Sequence, residues 1–383
     1  MHVAFVTSNY PSPSRPSAGP FVQKFVWAMA RQGHRCTVVH PVGFWERKYG
    51  PYPPRRTSET GGGGEPIAVL SPRYPTFSWR KLGWFHTGRW SIAAFRRAAV
   101  TALRRMADKP DVVYGHFMYP AGAAAVAAGR MLGVPAVVGV GEGEFWTLEP
   151  AGDRRASREI GAASGVLAVS TPIADALHAR LGLPADKIRV FPNGVDLETF
   201  RPGDRASACA ELGLPADAFL VGYLGPFVPQ KGYPQLRAAV AGLPGVRLVL
   251  LGRGEKPAPD PQIAFCGTVA HADVPRYLRA CDAFVLPTRI EGSCNSVLEA
   301  MACGLPIVTS SGRYMDDVVD DEVALRVDPD DVPALRAAIL ALQNDPARRA
   351  RMSAACLRKS REFDVDARAR RVAAWLEELR RQP

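Results

Sequence analysis

The stretch "EGSCNSVLEAMACGLPIV", residues 291–308, determines how the rest of the chain is interpreted. It follows the β-rich segment Ala283–Pro287 and contains a helical run that begins at Ser296 and stops before Gly304. A second strand-like segment, Pro306–Thr309, comes directly afterwards. A strand, a helix and a second strand in this order are typical of a parallel sheet, because parallel neighbours need a crossover connection.

Strand-like and helix-like segments alternate along the whole chain. In the first half the strand-like segments are Val3–Thr7, Cys36–His40, Asp111–Gly115, Ala136–Val140 and Gly165–Ser170. Helical periodicity is found at Phe21–Gln32 and starts again at Thr171-Pro172. In the second half the corresponding strands are Phe219–Leu224, Val246–Leu251 and Ile263–Cys266, with a helix near Pro234–Ala241. This alternation predicts an α/β fold of two Rossmann-like, doubly wound domains, with helices on both faces of each sheet.

The segment "VFPNGVDLETFRPGD", residues 190–204, is rich in turn residues and has no helical period, so we interpret it as the interdomain linker. It predicts domains at residues 1–196 and 197–363, and we expect the C-terminal helix at 364–383 to pack back on the first domain. Ligands of doubly wound sheets bind beyond the carboxyl ends of the strands, which predicts a site in a central cleft between the domains. No G-x-G-x-x-G follows the first strand, so a dinucleotide-binding domain is not favoured.

The excess positive charge lies entirely in the first half. The 383-residue chain has a net charge of +11, and residues 1–196 contain 24 Lys+Arg against 13 Asp+Glu. Between Pro66 and Ala107 there is no acid, and basic residues alternate with aromatic ones: Arg73, Arg80, Lys81, Arg89, Arg96, Arg97, Arg104 and Arg105 with Trp79, Trp84, Phe85, Trp90 and Phe95. Two interpretations stay open, an arginine-rich surface typical of a GC-rich bacterial genome and a docking surface for an anionic partner. Such a partner would be an anionic membrane rather than nucleic acid, since Trp and Phe beside Arg suit a headgroup layer.

The seven cysteines and the N-terminus favour a cytoplasmic protein. No CxxC pair occurs and several cysteines lie in apolar segments, which favours reduced core cysteines over disulfides or zinc ligands. The N-terminus has no signal-peptide pattern, and no run reaches the about 18 apolar residues of a membrane span. We expect a cytoplasmic protein, with peripheral contact to the inner face of the membrane if the basic segment docks there.

A literal DxD occurs at Asp364-Val365-Asp366. It immediately precedes the last helical run, where aspartates cap or start a helix and face solvent. We therefore expect no metal site there.

Two carboxylates, Glu291 and Glu299, flank the predicted helix N-terminus of the opening stretch. Each also has an ordinary explanation, because Ser296-x-x-Glu299 fits a capping box and Glu291 fits a solvated loop acid. Between them, Gly292, Ser293, Cys294 and Asn295 would present backbone N–H groups at a helix N-terminus, which is an anion site. Carboxylates on either side of a bound diphosphate suit the hydroxyls of a ribose and of a sugar ring.

The extended stretch "EGSCNSVLEAMACGLPIVTS" resembles the Glu-x7-Glu donor signature of the family 4 retaining glycosyltransferases of the GT-B fold. The likeness spans nearly the whole chain: "GHRCTVVHP", "VFPNGVDLETFRP" and "FCGTVAHADVPRYLRACDAFVLPTRIEG" resemble other parts of that family. It implies that Glu299 holds the donor ribose and that Glu291 contacts the transferred sugar. Amides of Cys294, Asn295 and Ser296 would meet the diphosphate.

Four more residues match the family pattern. Lys231, in "GYLGPFVPQKGYPQL", corresponds to the lysine that neutralises the leaving diphosphate. Val269, in "FCGTVAH", falls where the family's backbone reads the base edge, and Gly19, in "PSAGPFVQKF", where backbone approaches the diphosphate. His116 resembles a histidine of the first domain that faces the cleft, although a lone histidine is also a common structural residue.

Two positions depart from the pattern. Pro226 follows Gly225 where the family has an arginine beside the lysine, and Arg253 or Arg289 would have to compensate. Gly141 stands where the family usually has a histidine near the reacting sugar. The neighbouring Glu142 and Glu144 are candidate bases or sugar ligands, or solvated loop acids.

The resemblance implies a retaining hexosyltransferase that moves a sugar from a nucleotide-diphosphate sugar to an acceptor hydroxyl. The second domain would bind the donor and the first the acceptor, a glycan or lipid-linked molecule of polysaccharide, glycolipid or other cell-envelope biosynthesis. No cofactor and no metal are implied. The alternatives are a sugar-nucleotide epimerase of the same fold and a non-catalytic sugar-nucleotide-binding homologue.

Overall fold

The computed structural model describes residues 1–16, 18–61, 64, 66–77, 80–83, 85–255 and 258–382. Trp79 and Trp84 of the basic aromatic segment, and the side chain of Phe85, lie outside what is described. The chain forms two compact units, Met1–Pro192 with Val365–Pro383, and Asn193–Asp364. The boundary lies a few residues before the one that the linker predicts.

The first unit is built on an eight-stranded sheet of order β12-β11-β10-β9-β1-β2-β5-β4. The strands of this unit are β1 (His2–Thr7), β2 (Arg35–Val39), β3 (Val42–Gly43), β4 (Arg56–Glu59), β5 (Ile67–Leu70), β6 (Arg73–Tyr74), β7 (Lys81–Leu82), β8 (Phe85–His86), β9 (Val112–His116), β10 (Ala136–Val140), β11 (Gly165–Ala168) and β12 (Ile188–Val190). Every pairing in the large sheet is parallel except β4 with β5. Strand β1 is buried along its whole length, as expected for a strand covered on both faces.

Helices cover this sheet on both sides. They are α1 (Pro20–Arg31), α2 (Gly88–Arg104), α3 (Ala123–Leu132), α4 (Asp153–Gly161) and α5 (Thr171–Leu181). Helix α1 begins with Pro20, whose fixed φ and missing N–H suit the first helical position.

The second unit has a six-stranded, fully parallel sheet of order β15-β14-β13-β16-β17-β18. Its strands are β13 (Phe219–Leu224), β14 (Val246–Leu251), β15 (Ile263–Gly267), β16 (Ala283–Leu286), β17 (Ile307–Ser310) and β18 (Ala324–Val327). Its helices are α6 (Arg205–Leu212), α7 (Tyr233–Val240), α8 (Val274–Ala280), α9 (Asn295–Ala302), α10 (Val332–Asn344) and α11 (Pro346–Ser360). The strand order reverses between β13 and β16, so the loops after these two strands form the switch point where doubly wound folds bind ligands.

The last helix, α12 (Val365–Arg381), belongs to the first unit and packs on α1. Arg31 of α1 donates from Nε and an Nη to the two carboxylate oxygens of Asp366, at 3.0 Å each. Asp366 is therefore ion-paired and half-buried, whereas a fully solvent-facing side chain was expected. Among the described residues, no three His, Cys, Asp or Glu side chains are grouped as a metal site would require.

None of the helices within the described residues is both long enough and apolar enough to cross a membrane.

Candidate active site

Lys231 and Glu291 meet at the switch point of the second unit. Lys231 ends the turn Pro229–Lys231 after β13, and its Nζ lies 2.6 Å from Oε1 of Glu291 in the loop after β16. Gly232 lets this turn pack closely against the end of β16, because its φ is 68° and a Cβ there would lie 1.9 Å from the Pro287 carbonyl oxygen. Both side chains are mostly buried, with 24% of the lysine and 12% of the glutamate exposed. Glu291 is thus a held ion-pair partner and not a solvated loop acid.

The loop before α9 is anchored by Asn193. The Asn193 backbone N–H donates to Ser293 Oγ at 3.1 Å, and its side-chain amide donates to Asn295 Oδ1 at 2.9 Å. Gly292, Ser293 and Cys294 are buried, so this loop is held by packing as well as by hydrogen bonds. No role was predicted for Asn193 from the sequence, although it lies in the quoted linker.

Helix α9 starts with free backbone donors. Its N-cap, Cys294, makes no side-chain capping bond, and the amides of Cys294, Asn295 and Ser296 donate to no acceptor within the described part of the chain. Burial raises the pKa of the Cys294 thiol, which stays neutral and adds no competing negative charge. Unpaired amides and the helix dipole together favour an anion at this position.

Glu299 does not form the capping box that would have explained it without a functional role. Because Cys294 is the N-cap, Ser296 lies inside the helix and Glu299 lies beyond its first turn. The Glu299 carboxylate instead accepts a 2.8 Å hydrogen bond from Nε2 of His271, whose ring packs against Phe200 with centroids 5.3 Å apart. His271 was missed in the sequence, although it lies two residues after Val269 in the quoted segment "FCGTVAH".

Val269 lies in the loop that follows β15 and packs, half-buried, against the core of the second unit. The backbone around it is fixed from one side, because Thr268 Oγ1 donates to the Gly252 carbonyl at 2.7 Å. Val269 is two residues from His271, the hydrogen-bond partner of Glu299.

Of the two proposed replacement cations, Arg289 is ion-paired elsewhere and Arg253 is exposed. Arg289 forms an ion pair with Asp330 and also donates to the Pro229 carbonyl. The Pro226 carbonyl accepts a 2.8 Å hydrogen bond from the Tyr223 hydroxyl, so the chain follows a fixed course where the family arginine would stand. The backbone carbonyl of Arg253 accepts a 2.8 Å hydrogen bond from the Phe227 N–H.

In the first unit, Gly19 and His116 lie at the corresponding switch point, between β1 and β9. A Cβ on Gly19 would lie 2.2 Å from the Asn9 carbonyl oxygen, so local packing already requires glycine there. His116 is 6% exposed, and its ring packs against Phe21 and Phe117. His116 is therefore a buried side chain of the first unit.

Burial also sets the protonation of His116. It lowers the pKa of this histidine to about 3, with the positive charge of Arg368 acting in the same direction. Neither ring nitrogen has a hydrogen-bond partner among the described residues. His116 is a neutral histidine in an aromatic pocket.

Glu142, in the loop after β10, connects this loop to the loop after β9 by hydrogen bonds. Its Oε1 accepts from the Met118 N–H at 2.9 Å and its Oε2 from the Gly141 N–H at 3.0 Å. Burial raises the pKa of Glu142 to about 7, and these backbone hydrogen bonds oppose only part of that effect. Glu144, by contrast, is exposed. Glu142 is therefore a carboxyl group that titrates near neutrality at the carboxyl end of the sheet.

Two family models match the chain. The model described as Glycosyltransferase Family 4 matches residues 18–199, and the one described as Glycosyl transferases group 1 matches residues 218–345. The D-inositol 3-phosphate glycosyltransferase 1 of Catenulispora acidiphila is 31% identical over 287 residues, which make up 66% of this chain and 68% of that relative. The chain belongs to glycosyltransferase family 4.

Other comparisons give a further glycosyltransferase relative and solved structures with a similar fold. The teichuronic acid biosynthesis glycosyltransferase TuaC of Bacillus subtilis, as its name describes it, is 28% identical over 364 residues, 90% of each chain. Sucrose-phosphate synthase from Thermosynechococcus elongatus superposes with a TM-score of 0.77 at 20% identity, over 99% of each chain. HepE of Anabaena, in complex with UDP and glucose, has a TM-score of 0.74 at 19% identity, over 99% of this chain and 100% of that one. The glycosyltransferase thus has the predicted GT-B fold, with two Rossmann-like parallel-sheet domains.

Proposed function

We propose that this family 4 glycosyltransferase moves a hexose from a nucleoside-diphosphate sugar to an acceptor hydroxyl with retention at the anomeric carbon, and that the second unit binds the donor. The observation that carries the proposal is the Lys231–Glu291 pair, 2.6 Å apart, in the same loop cluster as the unpaired amides that begin α9. A cation, free amides and two carboxylates supply the groups that a diphosphate with a sugar at each end requires.

Each group has a separate task in this proposal. The bond between the anomeric carbon and the diphosphate oxygen breaks, and its electron pair passes to the diphosphate. Lys231 and the amides of Cys294, Asn295 and Ser296 stabilise that developing charge. Glu299, oriented by His271, accepts from the ribose hydroxyls, and Glu291 accepts from the transferred sugar. The acceptor oxygen forms the new bond on the face that the diphosphate leaves, and the proton of the acceptor hydroxyl passes to a base, for which Glu142 is the candidate.

The acceptor is proposed to be a glycan or lipid-linked molecule of the cell envelope. The names of two relatives support this class, one a teichuronic acid biosynthesis enzyme and the other a D-inositol 3-phosphate glycosyltransferase. In the first unit, Gly19 approaches the diphosphate in this proposal. His116 supports the loop after β9, and Glu142 is the candidate base or sugar ligand.

A specific observation favours one competing function. Pro226 provides no cation and Arg289 is paired with Asp330, which would suit a protein that binds a sugar nucleotide without turning it over. An epimerase of the same fold is a third candidate, but the arginine-rich first unit offers it no advantage.

One series of measurements separates the three functions. Thermal unfolding with UDP, GDP and ADP identifies the nucleotide, because a ligand raises apparent stability by mass action. The matching labelled nucleotide sugars then report the reaction. We expect transfer to an acceptor, or slow hydrolysis without one. An isomerised nucleotide sugar would identify an epimerase, and stabilisation without turnover would identify a binding protein.

A further inference from the structure

A large groove lies in the first unit, at the β2–β5–β4 edge of its sheet. Its volume is about 1040 Å³. Helix α2 buries Phe95, Ala99 and Leu103 against the centre of the sheet and packs on α3. Strands β5 and β4 continue the sheet beyond α2, so the groove forms between the helix and the uncovered sheet edge. Gly19 and His116 lie elsewhere, beside β1 and β9.

The deeper wall of the groove is apolar. It includes Leu70, Ala94, Ala98, Ala102 and Met106. The three alanines are four residues apart on α2, so they share one face of the helix, and their small side chains leave room above it. Leu70 and Met106 are only half-buried, although both pack against the core. This surface is suited to a hydrocarbon chain.

The mouth of the groove is strongly basic. Its described lining contains six arginines, all exposed: Arg35, Arg55, Arg56, Arg73, Arg97 and Arg105. Asp108 is the acid among these lining residues, and it pairs with Arg35 at 2.7 Å. Arg55, Arg56, Arg97 and Arg105 have no acidic partner among the described residues. The charge that would complement this mouth is therefore absent from the part of the chain that the structure describes.

We propose that this groove binds a single-chain lipid phosphate. The hydrocarbon chain lies along the alanine face of α2, and the phosphate is bound by arginines at the mouth, whose planar guanidinium groups match phosphate oxygens bidentately. A nucleic acid fits less well, because single strands are bound by stacking aromatics. Tyr74, the aromatic residue of the lining, is half-buried with its ring edge-on to Phe95, at a centroid distance of 5.5 Å. This inference does not rest on the proposed function.

Calorimetry on the full-length protein tests the two parts of the ligand separately. The probe is dodecyl phosphate at concentrations where it is monomeric, compared with inorganic phosphate and with the neutral dodecyl maltoside. We expect dodecyl phosphate to bind at least roughly tenfold more tightly than either, since burial of the hydrocarbon chain and charge-assisted hydrogen bonds to the head group both favour it. Equal binding of inorganic phosphate would overturn the proposal, as would no binding of dodecyl phosphate.

Matched variants locate the site. Ala98→Trp fills the groove, whereas Ala93→Trp puts the same side chain on an exposed position of the same helix. We expect the first to weaken binding of dodecyl phosphate by roughly tenfold or more and the second to leave it unchanged. The charge is tested independently by Arg97→Gln with Arg105→Gln, and Arg104→Gln serves as the control outside the groove. The proposal is wrong if native affinity survives in the Arg97/Arg105 variant or in a folded Ala98→Trp protein.

Discussion

Lys231 enters the proposed reaction as a cation that Glu291 already holds in place. Replacing Lys231 by alanine removes the side chain that would stabilise the leaving diphosphate, and we expect the barrier to turnover to rise by roughly 2–4 kcal/mol. Lys359→Ala is a matched control, because Lys359 is similarly buried and also pairs with a carboxylate, Asp320 at 2.7 Å, but lies on α11 and not at the switch point. Steady-state kinetics with the donor nucleotide sugar measure both variants. A loss below about tenfold for Lys231→Ala would assign the diphosphate to another cation.

Glu299 and His271 act together in the proposed ribose site. Glu299→Ala removes a charge-assisted hydrogen bond to a hydroxyl, so calorimetry with the preferred nucleoside diphosphate should show affinity lower by about 1.5–3 kcal/mol. His271→Ala should cost less by itself, and the two losses should not add, because His271 acts by orienting Glu299. Glu322→Ala, which removes an exposed carboxylate paired with Arg358, should leave the affinity unchanged.

Additive losses, or native affinity in a folded Glu299→Ala protein, would contradict this assignment. Additivity would mean that His271 contacts the nucleotide directly. Native affinity would mean that the His271–Glu299 hydrogen bond only stabilises the second unit.

The residue types of the site could be predicted from the sequence, but not their pairings. Glu291 and Lys231 lie far apart along the chain, and their contact depends on β13 and β16 being neighbours. His271 and Asn193 are anchors whose partners become evident only after folding. The capping-box explanation of Glu299 fails because the N-cap is Cys294, two residues before Ser296, which places Ser296 inside the helix.

At the level of whole elements, the sequence predicted the central strands closely. Strands β10, β13 and β14 have the predicted ends, because fully buried parallel strands are continuous apolar runs bounded by turn residues. The short strands β3, β6, β7 and β8 were not predicted, since runs of two residues have no periodicity. The ion pair of Asp366 was not predicted because its partner, Arg31, lies at the other end of the chain.

The loop after β10 gives the first unit a specific pH dependence. With a folded pKa of about 7, above its ordinary value, Glu142 binds a proton more readily in the folded than in the unfolded state. Its contribution to the free energy of unfolding is therefore present below about pH 4.5 and decreases as the pH rises to about 7. Glu142→Gln cannot titrate, so the difference in unfolding free energy, native minus variant, should fall by on the order of 2 kcal/mol across this window.

Urea unfolding at several pH values between 4.5 and 8 measures this difference. Glu144→Gln is the control, because it removes an exposed carboxylate of the same loop. A difference between native protein and Glu142→Gln that stays constant with pH would mean that Glu142 is ionised throughout. His116, whose pKa is lowered, makes the unfolding free energy rise with pH below about 6.5. Its contribution is equal in the native protein and in Glu142→Gln, so it cancels from the difference.

On the scale of the whole molecule, the basic aromatic surface is larger than the sequence predicted. The exposed aromatic residues of the described chain all lie in the first unit: Phe44, Trp45, Tyr49, Phe77 and Trp90. Strands β3 and β6 pair in parallel, so the segments that follow them start at the same end of this strand pair. The Phe77 and Trp90 rings lie 5.6 Å apart, and Lys48 lies over the rings of Trp45 and Tyr49. Phe95 and Arg96 do not contribute, because the first is buried and the second pairs with Glu159.

We propose that this surface binds anionic membrane peripherally. Interfacial aromatics and nearby basic residues both favour a headgroup layer, and each basic residue near such a surface contributes about 1 kcal/mol at modest salt. We expect co-sedimentation with vesicles that contain phosphatidylglycerol, decreasing as salt rises, and little with phosphatidylcholine alone. Phe77→Ser with Trp90→Ser should reduce binding several-fold, and Arg89→Gln with Arg104→Gln should reduce its salt dependence. Affinity for the nucleotide should stay the same in each variant.

Met131→Ser is the matched control, because Met131 is an exposed apolar side chain of the first unit in a different helix, α3. If the aromatic surface is responsible, this variant sediments like the native protein. Equal sedimentation of all the variants would show that general positive charge, not this surface, attracts the vesicles. If sedimentation is the same with neutral and anionic vesicles, or absent with both, the basic residues of the first unit form an ordinary solvated surface. That result would favour a water-soluble acceptor.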